Sequence, residues 1–266
     1  MITVIDRAPE PGQSQGLPLL PDISYSELAL ALLGAFCLGF SKTGFPGLAI
    51  VNVLIIADLF GAKASVGIVL PLLIVCDIIV FPLFRKFATW RDILPLLPWC
   101  LAGIVIGWQL LGNINDLTAR RSIGGVILLM MLLQIVRKYS AAFLSQLHDS
   151  VSFRLGTGLA IGISTMIANA AGPVYSIFAL VKKMPKDEFL GIGARLFLLI
   201  NILKIPFNTN LDIINPESLT IDLMLLPGIL GGIFLGRRLI AKVPQSVFEI
   251  FLYAFSVIAG VRMLFF

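Results

Sequence analysis

Apolar residues run along this chain in long blocks rather than at helical or strand spacing. Blocks at 26–39, 47–57, 62–84, 93–113, 121–136, 151–166, 173–181, 188–207, 221–241 and 244–266 are separated by proline, glycine or charged clusters. A run of about 20 apolar residues matches the bilayer hydrocarbon, so the long blocks predict membrane-spanning helices. Six blocks are long enough, or nearly so; the four short ones form two adjacent pairs, 26–39 with 47–57 and 151–166 with 173–181. A helix the length of the first reaches only ~21 Å at 1.5 Å per residue, against a hydrocarbon core of ~30 Å. Each pair therefore predicts a broken, re-entrant hairpin with its irregular break at membrane depth.

The pattern also repeats. The run Leu97-Pro98-Trp99-Cys100-Leu101-Ala102-Gly103-Ile104-Val105-Ile106-Gly107 matches Leu226-Pro227-Gly228-Ile229-Leu230-Gly231-Gly232-Ile233-Phe234-Leu235-Gly236. Pro82 follows Asp77 as Pro206 follows Asn201, and Gly39-Phe40-Ser41 resembles Gly162-Ile163-Ser164. The offsets of 129, 124 and 123 residues keep their order along the chain, which chance matching of small residues does not readily give. The glycine series Gly103/Gly107 and Gly228/Gly232/Gly236 read as faces for close helix packing.

Composition narrows the class. Of 266 residues, 58% are hydrophobic and only 13% charged, and mean hydropathy is +0.98. A soluble domain carries about 25% charged residues; this chain could not cover a soluble core, which excludes a soluble enzyme. The net charge of +5 is therefore a matter of topology and gives no sign of a nucleic-acid partner. Cys37, Cys76 and Cys100 lie in apolar segments without metal-ligand spacing, and the one histidine, His148, is in a polar loop, so no metal site or cofactor is expected. No Walker loop, dinucleotide-binding glycine pattern or covalent-catalysis motif is present, and the reading is not an enzyme. Residues 1–25 form a polar tail without the basic start of a cleavable signal peptide.

Twelve basic residues fall in four loop clusters: Arg85, Lys86 and Arg91; Arg137, Lys138 and Arg154; Lys182, Lys183 and Lys186; Arg237, Arg238 and Lys242. The segment 208–222 reads instead as an acidic loop with Asp212, Glu217 and Asp222. If the basic clusters are cytoplasmic, the loop after 62–84 is inside while its repeat counterpart after 188–207 is outside. The expected fold is an all-α polytopic membrane protein of two inverted repeats, each a broken hairpin plus three spanning helices. The divisions are 26–138 for the first repeat, 139–150 for a cytoplasmic linker and 151–266 for the second, with both termini non-cytoplasmic. Inverted repeats with discontinuous helices are a recurring plan of secondary transporters, whose site lies at the midplane.

Three cations fall inside apolar blocks: Lys42, Arg195 and Lys204. Each costs ~2.5–3.5 kcal/mol on insertion scales, and the one obvious intramembrane acid, Asp77, cannot balance all three, so the excess calls for an anion. Snorkelling to the interface or pairing with Asp77 and carbonyls is the structural alternative. The first break, Gly39-Phe40-Ser41-Lys42-Thr43-Gly44-Phe45-Pro46-Gly47, and the second, Ile163-Ser164-Thr165-Met166-Ile167-Ala168-Asn169-Ala170-Ala171-Gly172-Pro173, would each start a half-helix whose N-terminal N–H groups attract anions. Candidate substrate contacts are Ser41, Lys42, Thr43, Gly44 and Gly47 in the first break, Ser164, Thr165, Asn169 and Gly172 in the second, and Arg195, Asn201 and Lys204 beyond it. Asp77 is the candidate coupling residue, with H+ or Na+ as the ion.

The run from Gly39 to Gly47 resembles the first-repeat motif of the sulfite exporter TauE/SafE family, also called the toluene sulfonate uptake permease family. So do Leu70-Pro71-Leu72-Leu73 with Asp77, the following Arg85-Lys86 and Trp90-Arg91, and the duplicated Pro98/Gly103/Gly107 pattern. The resemblance covers about 28–264, and Asn169-Ala170-Ala171-Gly172-Pro173 departs from its glycine-richer second motif. It implies a multi-pass permease of a bacterial inner membrane that moves sulfite, a sulfonate or a related small anion, often in export. The alternatives are an anion-selective channel, a transporter of another small carboxylate or oxyanion, a thiol-relay membrane enzyme and a structural membrane protein.

Overall fold

The computed structural model describes residues 23–43, 48–140 and 149–239, together with 257, 261 and 263–265. Every regular element among them is a helix: α1 (Tyr25–Ser41), α2 (Leu48–Phe60), α3 (Ala62–Phe84), α4 (Leu97–Asn113), α5 (Asp116–Tyr139), α6 (Val151–Ala168), α7 (Gly172–Val181), α8 (Lys186–Asn210) and α9 (Pro216–Leu239). Two 3₁₀ turns, Arg85–Phe87 and Trp90–Ile93, lead from α3 to α4. Four of the described helices are long and apolar enough to cross a bilayer: α3 with its following turn, α6, α8 and α9. The chain is an all-α, multi-pass membrane protein. Most of the block 244–266, and the break residues Gly44 and Gly47, lie outside the described residues.

Several boundaries differ from the hydropathy reading, and local hydrogen bonds explain them. The acidic segment 208–222 is mostly helix. α8 continues to Asn210, and α9 already begins at Pro216. Its start is fixed by a reciprocal cap: Ser218 N–H donates to Asn215 Oδ1 (2.9 Å) and Asn215 N–H to Ser218 Oγ (3.0 Å). Asp222 thus lies inside α9, 6% exposed, and not in a solvated loop. α6 reaches 18 residues, longer than the short block assigned to it, and ends where Asn169 takes the left-handed conformation (φ 51°). Block 93–113 loses its first residues to the 3₁₀ turn, where Thr89 and Asp92 cap each other. The N–H and hydroxyl of Thr89 hold the Asp92 carboxyl below the usual carboxylate range. Ahead of α6, Arg154 grips both Asp149 oxygens at 2.6 and 2.8 Å and lowers that carboxyl too.

The helices pack in corresponding pairs. α1 runs parallel to α9, and α6 runs parallel to α4. Glycines let the backbones touch: a Cβ at Gly39 would overlap the Ile229 carbonyl oxygen, and one at Gly162 would overlap that of Cys100. Likewise Gly232 meets the Phe36 carbonyl and Gly103 that of Leu159. Matching contacts therefore recur at separations of 123 and 129 residues, the offsets seen in the sequence. α3 and α8 cross antiparallel, with Asp77 against Asn201 and the turn after α3 against Gly191. The first of the crossing helices, α3, touches Lys42 at the end of α1 through Asp77 and Asn169 at the end of α6 through the Val66 carbonyl.

Candidate functional site

The first break follows the buried end of α1, where Leu38, Gly39, Phe40 and Ser41 are all enclosed. Lys42 caps this helix, and its side chain is 18% exposed. Its ammonium lies 2.5 Å from Asp77 Oδ1, on a carboxylate only 5% exposed. The other carboxylate oxygen accepts a 2.8 Å hydrogen bond from Asn201 Nδ2. Lys42 also stands over the Phe197 ring, 5.6 Å from its centroid, a cation–π contact. So α1, α3 and α8 meet at a chain of three polar side chains, Lys42–Asp77–Asn201, in otherwise apolar surroundings. Asn201 Oδ1 has no partner among the described residues.

One turn further along α8, Lys204 is fully buried. Its ammonium donates to the Thr165 carbonyl (2.9 Å), Thr165 Oγ1 (3.1 Å) and Asn169 Oδ1 (2.6 Å). Those bonds use all three protons of the group. Asn169 Nδ2 continues the chain to the Val66 carbonyl of α3 at 3.2 Å. Lys204 therefore ties the end of α6 to α8 and does not reach toward the outer interface. Beyond this knot α7 starts with Pro173 in its first turn and no side-chain cap, which leaves a positive helix end at the second break.

The remaining predicted residues divide clearly. Thr43 Oγ1 donates to the Phe40 carbonyl and Ser164 Oγ to that of Ile161, so both hydroxyls are spent on their own helices. Ser41 is buried beside Lys42, and Gly172 opens α7 with space around it. Arg195 stands apart from the centre. Its guanidinium donates to the Gly191 and Arg85 carbonyls and packs over the rings of Phe81 (5.5 Å) and Trp90 (5.8 Å). It fastens the turn after α3 and makes no contact with Lys42, Asp77 or Lys204.

Sequence reasoning passed over Phe197 and two buried asparagines, Asn52 and Asn208. Both amides lack partners among the described residues. The available signal was an asparagine inside or at the edge of an apolar block, where an amide is costly unless bonded. Phe197 carries no such signal, because only packing distinguishes it from its apolar neighbours.

The arrangement is a half-buried cation held by a buried carboxylate, with amides and a helix N-terminus nearby. Here the two opposite charges face each other in a low-dielectric setting, where electrostatic attraction is strong. No nucleophile–base pair is formed among these groups. A family model described as "Sulfite exporter TauE/SafE" matches residues 28–263. No curated protein and no solved structure gives a significant match. The match spans both breaks, the Lys42–Asp77–Asn201 chain and the nine helices described above except the first three residues of α1, and the chain belongs to the sulfite exporter TauE/SafE family.

Proposed function

We propose that this protein is a secondary transporter that exports a small sulfur oxyanion, sulfite or an organosulfonate, by alternating access. The observation that carries the reading is the pairing of Lys42 with Asp77 where the antiparallel α3 and α8 cross. A half-buried cation whose one carboxylate partner among the described residues also bonds Asn201 is suited to exchange that partner for a passing anion. Proton uptake by Asp77 would free Lys42 for substrate, and loss of the proton would restore the pair and expel it, so proton and anion would cross together and export would draw on the outward gradient of the anion. Asp77 thereby serves as the coupling residue and H+ as the coupling ion. The uncapped start of α7, near Gly172, supplies further N–H groups to substrate oxygens. A divalent anion leaving a negative interior with one proton still carries out one net negative charge and gains ~2.3 kcal/mol per 100 mV, which favours export.

The purified protein should be stabilised in a thermal-shift screen by sulfite or a sulfonate, among sulfite, sulfate, thiosulfate, taurine and sulfoacetate. In proteoliposomes the selected anion should move saturably, at a rate that follows an imposed proton gradient. Flux that is linear in concentration and blind to the gradient would mean a channel instead.

The halves are proposed to be inverted repeats, divided at the linker 139–150, in a bacterial inner membrane with both termini outside. The antiparallel crossing of α3 and α8 and the matched glycine contacts of α1 with α9 and α6 with α4 support this. Reporter fusions after residues 88 and 184 should read as cytoplasmic and a fusion after 215 as external. Residues 88 and 215 on one side would remove the inversion.

A further inference from the structure

Two loops of the molecule are seated in the same unusual way. The loop after α8 rests on α3 at Gly67: a Cβ there would overlap the Ile213 carbonyl oxygen and lie 3.1 Å from Ile213 Cβ. The segment after α3 rests on α8 at Gly191: a Cβ there would lie 2.9 Å from the Phe87 carbonyl carbon and 3.0 Å from the Ala88 nitrogen and Cβ. Gly67 and Gly191 are separated by the same 124 residues as Asp77 and Asn201. Each of the two crossing helices thus offers a bare backbone patch to the loop that follows the other. With Ala at either position the loop could not sit down.

The two seats are fastened differently. At Gly191 the fastener is Arg195, one turn along α8. One arm of its guanidinium holds the Gly191 carbonyl and the other the Arg85 carbonyl, between Phe81 and Trp90. At Gly67 no charged side chain among the described residues fastens the loop, which is shaped by bonds within its own segment: Ile213 N–H (3.1 Å) and Ile214 N–H (3.4 Å) donate to the Asn208 carbonyl, and Asn215 Nδ2 donates to the Asp212 carbonyl (3.0 Å). Beneath that loop the Asn208 side chain is fully buried, and neither its oxygen nor its nitrogen has a partner among the described residues. Asn201, Lys204 and Asn208 follow one another at three and four residues along α8, so they share one face. The unpaired Asn201 oxygen and the unpaired Asn208 amide flank Lys204. A polar line therefore leads from the Asp77–Asn201 contact to the underside of the 211–215 loop and stops there.

We infer that the segment 85–93 and the loop 211–215 are the two gates of the transport path, that Gly191 and Gly67 are their seats, that Arg195 is the latch of the first, and that Asn208 is the substrate contact uncovered when the second lifts. The inference rests on the alternating-access reading and deepens it. Both gates are closed in this structure. Lifting the 211–215 loop from Gly67 gives the Asn208 amide an oxyanion or water to bond. Lifting 85–93 needs Arg195 to release the Arg85 carbonyl. Arg195 is thus a positioning residue, acting on the gate without touching the passenger.

The test is thiol labelling in membrane vesicles, with Cys37, Cys76 and Cys100 replaced by alanine. One reporter is Asn208→Cys under the outer loop. The other is Ile192→Cys, which replaces a side chain 1% exposed next to Gly191. Gly67→Ala should raise labelling of the Asn208→Cys reporter by a membrane-impermeant maleimide at least tenfold from its own side, with Ile192→Cys unchanged. Gly191→Ala and Arg195→Met should do the reverse from the opposite side. Reporters that rise together, or not at all, overturn the inference. Should Gly67→Ala fail to accumulate, Ile213→Ser in the same background decides: it adds no atom at Gly67 and removes the apolar side chain that packs the loop against the core, so labelling of Asn208→Cys should rise at least tenfold, whereas unchanged labelling overturns the gate. Labelling requires no bound anion, so gates that respond in a protein failing the sulfite flux assay would separate this inference from the proposed substrate.

Discussion

Lys42→Met is expected to abolish anion binding and flux, and to lower stability as well. Removing one partner of a buried ion pair leaves the other charge uncompensated, which costs ~3–5 kcal/mol. Asp77 is 5% exposed and would keep only its bond from Asn201. The double variant Lys42→Met/Asp77→Asn should regain most of that stability, because no lone charge remains, yet stay inactive because the cation is gone. Asp77→Asn alone should behave in the opposite way toward the anion. With no carboxylate competing for Lys42, affinity should rise at least tenfold, about 1.4 kcal/mol, while dependence of flux on the proton gradient disappears. Calorimetric titration of the four proteins in detergent, with melting curves and proteoliposome flux, checks the set. Wild-type affinity in Lys42→Met would remove Lys42 from the site.

Lys204→Met should damage the fold more than the binding site. Its ammonium serves the Thr165 carbonyl, Thr165 Oγ1 and Asn169 Oδ1, and a thioether replaces none of these donors. Buried acceptors left unmade cost ~1–3 kcal/mol each. The expected result is a loss of several kcal/mol and little protein in the membrane. Thr165→Val, which removes only the hydroxyl acceptor, should cost far less. The comparison matters because Lys42 and Lys204 look alike in sequence, each a lysine in apolar surroundings. Equal stability of Lys204→Met and wild type in a thermal melt would show that the lysine does not hold the second break.

The three intramembrane cations also mark the limit of what hydropathy discloses. Their cost in apolar surroundings flags all three as purposeful, but their partners differ. Lys42 faces Asp77, Lys204 is enclosed by the second break, and Arg195 clasps the Arg85 carbonyl. Arg195 looked like a substrate residue because its depth was counted along the helix. Its direction around the helix, toward Phe81 and Trp90, was not available from depth. Asp222 was misplaced for another reason. Three acids in a row of loop-like residues outweighed the cap formed by Asn215 and Ser218, although Asn215-Pro216-Glu217-Ser218 is a helix-start signal in its own right.

The sequence by itself determined that this chain lives in a bilayer, that lysine and asparagine stand where lipid would forbid them without partners, and which family it joins. These follow from local solvation, summed residue by residue along the chain. Only the tertiary structure decided which cation meets Asp77, which one is sealed away, and which loops settle on Gly67 and Gly191. Those pairings depend on helices far apart in sequence approaching to backbone contact at glycines, and the angle and register of that approach are properties of the packed bundle rather than of any one segment.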